Sequence, residues 1–109
     1  MTQEEKLLLL IDLSARLPYG VKYQDRIEGG VHFLTLGIIS HYERFTPYLR
    51  PLSSMTEEEE KEYENCFQSD DTTAATLLVD FYNKHHFDYR GLIEKGLALE
   101  APKDMYKTE

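Results

Sequence analysis

The residues best suited to chemistry fall into a few groups. His85-His86, with Asp80 and Asp88 nearby, is the densest set of metal-ligand types, since imidazole and carboxylate together suit zinc or iron. Adjacent histidines at a helix end point in different directions, however, and neither an H-x-x-x-H spacing nor a pair of cysteines accompanies them. The plain reading gives His85 to the apolar face of its helix, His86 to the exposed C-terminal end of that helix, and Asp88 to the cap of the next one. No metal or cofactor is called for. Cys66 could serve as a nucleophile if a histidine from elsewhere generated its thiolate. It follows a run of Glu, where negative charge raises a thiol pKa, and no nucleophile motif surrounds it, so a buried structural Cys is the expectation.

Glu57, Glu58, Glu60 and Glu64 belong to the run that could supply paired carboxylates, but such pairs act as acid and base only where burial separates their pKa values. The plain reading is a solvated helix with Glu57 and Lys61 in support at i,i+4. A sharper one has this helix, with Asp70 and Asp71, imitate the phosphate array of nucleic acid and occupy a basic groove on another protein. Tyr48-Arg50 and Tyr89-Arg90 are the candidates for contact with an anion or carboxylate, set against structural Arg–acid pairs. Gly29-Gly30 lacks the pattern of a phosphate-binding loop and reads as a turn.

Charge sharpens this. Of a net −8 over 109 residues, residues 56–71 contribute −7, eight acids against Lys61 alone. A surface of that sign repels phosphate backbones, so direct nucleic-acid binding is not expected and a partner with a basic surface is. One cysteine excludes an internal disulfide framework and the start of the chain lacks a secretory pattern, which points to a reducing, cytoplasmic setting. The longest apolar run, residues 7–11, is far short of the ~20 residues of a membrane span.

These residues must be positioned by a single α+β domain over residues 1–101, with 102–109 as a flexible tail. Thr2-Gln-Glu-Glu5 has capping-box spacing and opens a helix, apolar over most of its circumference, that Pro18 and Gly20 end. Alternation from Val21, the Gly29-Gly30 turn and the run 31–39 predict an antiparallel hairpin whose second arm, denser in apolar side chains, is central. A third short strand falls near 42–45. Pro47 and Pro51 mark an ordered crossing to the helices. Thr56-Glu-Glu-Glu59 caps a helix from Glu57 to about Phe67, Asp70 to Thr73 cap another reaching about Lys84, and Asp88 to Gly96 predicts a last short helix.

Leu17-Pro-Tyr-Gly-Val-Lys22, Pro47-Tyr-Leu-Arg-Pro-Leu-Ser-Ser-Met-Thr-Glu-Glu-Glu59 and His85-His-Phe-Asp-Tyr-Arg-Gly-Leu-Ile-Glu-Lys-Gly-Leu-Ala-Leu-Glu-Ala101 together resemble a family of small uncharacterised proteins from prophage and mobile-element regions of gut Bacteroidales. Relatives look longer between the hairpin and Pro47, with an extra strand. The resemblance implies a phage or mobile-element accessory protein with a host-takeover or counter-defence role, and gives no residue a function. Three readings follow. The first is a non-enzymatic protein that presents the acidic helix and an aromatic–Arg surface to a host or phage protein. The second is a binder of a small anionic ligand, enclosed by Tyr and Arg side chains from two copies in a homodimer. The third is a hydrolase using His85, His86 or Cys66.

Overall fold

The computed structural model describes residues 1–68 and 70–106. Thr2 opens helix α1 (Gln3–Arg16) with a reciprocal capping box: its hydroxyl accepts from the Glu5 N–H at 3.1 Å and the Glu5 carboxylate accepts from the Thr2 N–H at 2.8 Å. A 3-10 turn over Leu17–Tyr19 follows, and Gly20 ends it in the left-handed region at φ 72°. Leu9 and Leu13 enter the core while Leu7 and Ile11 stay exposed, so the apolar stripe of α1 is wider than the surface that covers it.

The predicted hairpin is present, with β1 (Lys22–Asp25) antiparallel to β2 (Val31–Phe33) and Tyr23 opposite His32. Its second arm is neither long nor central. The chain leaves the strand after Phe33 and forms a one-turn helix, α2 (Leu36–Ile39), and the strand order β2-β1-β3-β4 puts β2 at the edge with all three residues exposed. The apolar density of residues 31–39 serves two elements: Leu34 enters the core from the loop and Ile39 packs onto it from α2.

Residues 42–44 form a 3-10 turn rather than strand, and the third strand is β3 (Phe45–Leu49), one of the two interior strands, most of it in the stretch read as a crossing. Arg26 N–H donates to the Arg44 carbonyl at 3.2 Å, which makes 26/44 and 24/46 hydrogen-bonding positions of the antiparallel β1–β3 register, with 22/48 the next position of that kind. Pro47, opposite Tyr23, therefore occupies a non-hydrogen-bonded position, where its missing N–H removes nothing from that ladder. On the other side β4 (Leu99–Glu100) runs parallel to β3 and pairs only with Tyr48 and Leu49, so the sheet is mixed rather than antiparallel throughout.

Helix α3 (Glu57–Asn65) and helix α4 (Asp71–Lys84) lie where the capping signals place them; the Asp70 carboxylate accepts from the Thr73 N–H at 3.0 Å. Among the described residues no helix follows Asp88. Its carboxylate accepts from the N–H groups of Leu92 and Ile93 at 2.9 and 3.0 Å, and Gly91 adopts φ 72°, a conformation no right-handed helix accommodates, so the segment is a series of turns. Among the described residues Leu9, Leu13, Val21, Leu49 and Leu92 belong to the main core, which joins α1 to the sheet; Cys66, Phe81 and Phe87 form a second cluster under α3 and α4. Among the described residues no helix is long and apolar enough to cross a membrane.

Residues 107–109 of the expected tail lie outside the described residues. Tyr106 reaches back to the sheet: its ring stacks on His86 at 3.8 Å between centroids, and its hydroxyl accepts from the Lys22 N–H and donates to the Tyr48 carbonyl, both at 2.7 Å. That hydroxyl stands where the 22/48 pair of the β1–β3 ladder would otherwise close.

Candidate interaction surface

Helix α3 starts with four consecutive Glu, and its geometry divides the acids into two sets. Glu59 and Glu62 turn toward the fold. Glu59 Oε1 accepts from the Thr56 N–H at 2.9 Å, completing a capping box, and the same carboxylate receives both Nη groups of Arg50 at 2.7 Å each. Arg50 is fixed from several directions. Its backbone bridges to Phe87, its guanidinium lies 4.3 Å from the Phe87 ring centre, and Nη2 donates to the Ser54 carbonyl at 3.1 Å. These donated hydrogen bonds hold the Glu59 carboxyl at about 2, well below the usual carboxylate range.

His85, at the end of α4, bridges the two inward acids, with Nδ1 3.2 Å from Glu59 and Nε2 2.8 Å from Glu62. Both ring nitrogens thus face carboxylates of α3. Burial pushes the Glu62 carboxyl up, but His85 and then Lys84, 3.4 Å away, more than reverse it, so the net shift is downward. The helix is thus clamped to β3 and α4 by its own charges.

The other set points outward. Glu57, Glu58, Glu60 and Glu64 are exposed, with Lys61 among them, and none of the five forms an ion pair among the described residues. The expected Glu57–Lys61 support is therefore not made. A 3.6-residue repeat sets Glu57, Glu60, Lys61 and Glu64 on one stripe and Glu58 on the flank above Glu62.

Arg50 and Arg90 do not share a site. Arg90 Nε donates to Asp12 at 3.0 Å and Nη2 to the Tyr89 hydroxyl at 2.9 Å, which donates onward to Asn83 at 3.1 Å. Asp12 also accepts from Arg16 Nε at 2.7 Å, and Arg16 Nη2 donates to the Phe87 carbonyl at 2.6 Å. Asp12 and Arg16 are each 0% exposed, so this is an interior network tying α1 to the segment after α4. Tyr48 offers its carbonyl to Tyr106 and its side chain is half-buried. Both arginines are already bound to carboxylates of their own chain.

The other candidate groups diverge. Cys66 lies at the C-terminal end of α3; its thiol donates to the Glu62 carbonyl at 3.4 Å, and burial, with Glu62 adding to it, pushes the thiol pKa up. His86 is buried rather than exposed, in the left-handed region at φ 64°, and burial, with Arg16 next, lowers it to about 4. Asp80 accepts from the Tyr19 hydroxyl at 3.4 Å, and Asp88 caps its turn. Among the described residues no group of three His, Cys, Asp or Glu converges to hold a metal ion.

Between α3 and α4 runs an open groove of about 330 Å³. Cys66, Leu77 and Phe81 give its apolar lining, with Tyr19, Glu62, Asp80 and Lys84 around them. The spacing from Thr56 marks Glu59 as a capping residue but not as the partner of Arg50, and no reading of the sequence above picks out Glu62, Asp12 or Tyr106. The i,i+4 spacing of Asp12 and Arg16 was the one available signal; the others depend on partners distant in sequence.

The fold and this surface define an α+β domain with a mixed four-stranded sheet and an acidic helix clamped along one side. No family model, curated protein or solved structure matches the chain.

Proposed function

We propose that the chain is a non-enzymatic binding protein that docks the outward face of α3 on a basic surface of another protein. The observation that carries this is the division of labour within one helix. Glu59 and Glu62 are consumed in holding α3 rigidly, while Glu57, Glu58, Glu60 and Glu64 project with only Lys61 among them. A rigid array of like charge costs self-repulsion in the free protein, and a complementary partner relieves it while steering association. The sign of the array disfavours nucleic acid, and a host or phage protein in the cytoplasm is the partner we propose with it, as the sequence resemblance implies. The anionic-ligand reading draws less support, because Arg50 and Arg90 already donate to Glu59 and Asp12.

The test compares proteins captured by the tagged chain and by a variant carrying Glu57→Gln, Glu58→Gln, Glu60→Gln and Glu64→Gln. A specific basic protein retained by the first and lost by the second is the expected result. An unchanged set, with a small anion co-purifying with both, overturns the reading.

A further inference from the structure

We infer that the groove between α3 and α4 is an anchor pocket for an arginine side chain of the basic partner, an inference that rests on the function proposed above. At about 330 Å³ it lies near the lower end of the ~300–1,000 Å³ typical of ligand pockets, room for one long side chain rather than a cofactor. Its lining suits the two halves of arginine. Cys66 and Leu77 offer an apolar wall for the aliphatic stem, and Leu77 is 41% exposed, so covering it removes apolar surface from water. Tyr19, partly exposed, offers aromatic surface on which a planar, weakly hydrated guanidinium stacks better than an ammonium, while the buried Phe81 forms the floor.

The polar groups also match. Asp80 is exposed and has no ion-pair partner among the described residues; its only hydrogen bond there is the long one from Tyr19. Glu62, already held by His85 and Lys84, adds negative potential at the wall rather than a free carboxylate, and Glu58, one turn earlier on the same flank of α3, extends that potential toward the groove. Lys84 also lines the groove, but it is exposed and its 3.4 Å contact to Glu62 is a weak surface pair that an arriving guanidinium displaces. An apolar pocket with acids at its edge, beside a stripe of outward Glu, has the layout of a buried anchor within a charged rim.

The experiment follows backbone amide shifts of the isotope-labelled protein during titration at low salt with a polyarginine peptide of about ten residues, the same length of polylysine, and a citrulline version. Asp80→Asn and Leu77→Lys are run beside the wild type; both positions are exposed, and retained amide dispersion verifies the fold. The groove predicts polyarginine-specific shifts at Leu77, Asp80 and Phe81, polylysine binding without them, no binding of the citrulline peptide, and about fivefold weaker polyarginine affinity in each variant. Shifts confined to the stripe at Glu57, Glu60 and Glu64, with both variants binding like wild type, overturn the groove and leave the proposed function standing. Absence of shifts with every peptide counts against both.

Discussion

The Arg50 guanidinium donates to both oxygens of Glu59, each at 2.7 Å, and thereby fastens the acidic helix α3 to the end of β3. Both side chains are mostly shielded, and Glu59 simultaneously caps the helix at Thr56. Glu59→Gln keeps the shape but removes the charge that Arg50 and His85 both face. It is expected to destabilise the fold by about 2–3 kcal/mol, while Glu60→Gln, one residue away on the outer side, changes stability by less than ~0.5 kcal/mol. Thermal unfolding of the two variants side by side checks this, and similar melting temperatures contradict it.

How much of this was legible in the sequence varies with the range of the interaction. Both capping boxes, the Gly29-Gly30 turn and the Asp70 cap are local devices, and each is found where its residues stand. Strand β3 was hidden because Pro47 looks like a strand breaker until its pairing partner, Tyr23, fixes it at a non-hydrogen-bonded level. The four outward and two inward acids of α3 are one residue type in one run. Which of them faces inward is decided by Arg50 and His85, the residues that follow β3 and α4, and no local pattern records it.

Asp12, wholly buried between Arg16 and Arg90, is the pivot of the interior network. Asp12→Asn leaves the Arg16 guanidinium buried with no carboxylate, so a loss of about 3–5 kcal/mol is expected. Urea denaturation measures it; a loss below ~1 kcal/mol contradicts the network's structural role.

Tyr106 inserts its hydroxyl between the Lys22 N–H and the Tyr48 carbonyl. Tyr106→Phe keeps the ring stacked on His86 but deprives both backbone groups of their partner, at a cost of about 1–2 kcal/mol. Faster amide exchange at Lys22 is the specific sign to look for, since a purely steric role for the ring leaves that amide protected.

His86 supplies a pH dependence. Burial first, then the neighbouring cations Arg16, Arg50 and Lys22 together with His85, lowers it from 6.5 to about 4, so the unfolded chain takes up a proton in a range where the folded one does not. Stability therefore falls as pH drops from about 6.5 toward 4 and, from this group, changes no further below that. Glu59, held at about 2, adds a second loss that starts near 4.5 and continues downward. In His86→Asn, which tolerates the positive φ, the upper decline is expected to disappear while the lower one remains. Denaturation midpoints across this pH range give the answer, and an unchanged upper decline rules His86 out as its source.

If the outward acids of α3 bind a basic protein surface, affinity depends on salt in a characteristic way. With a basic protein recovered by capture, the dissociation constant is measured from low to high ionic strength for the wild type and for the variant with Gln at positions 57, 58, 60 and 64. Wild-type binding is expected to weaken steeply with salt, and variant binding to be weak throughout and nearly flat. Equal affinities with equal salt slopes contradict binding through these acids.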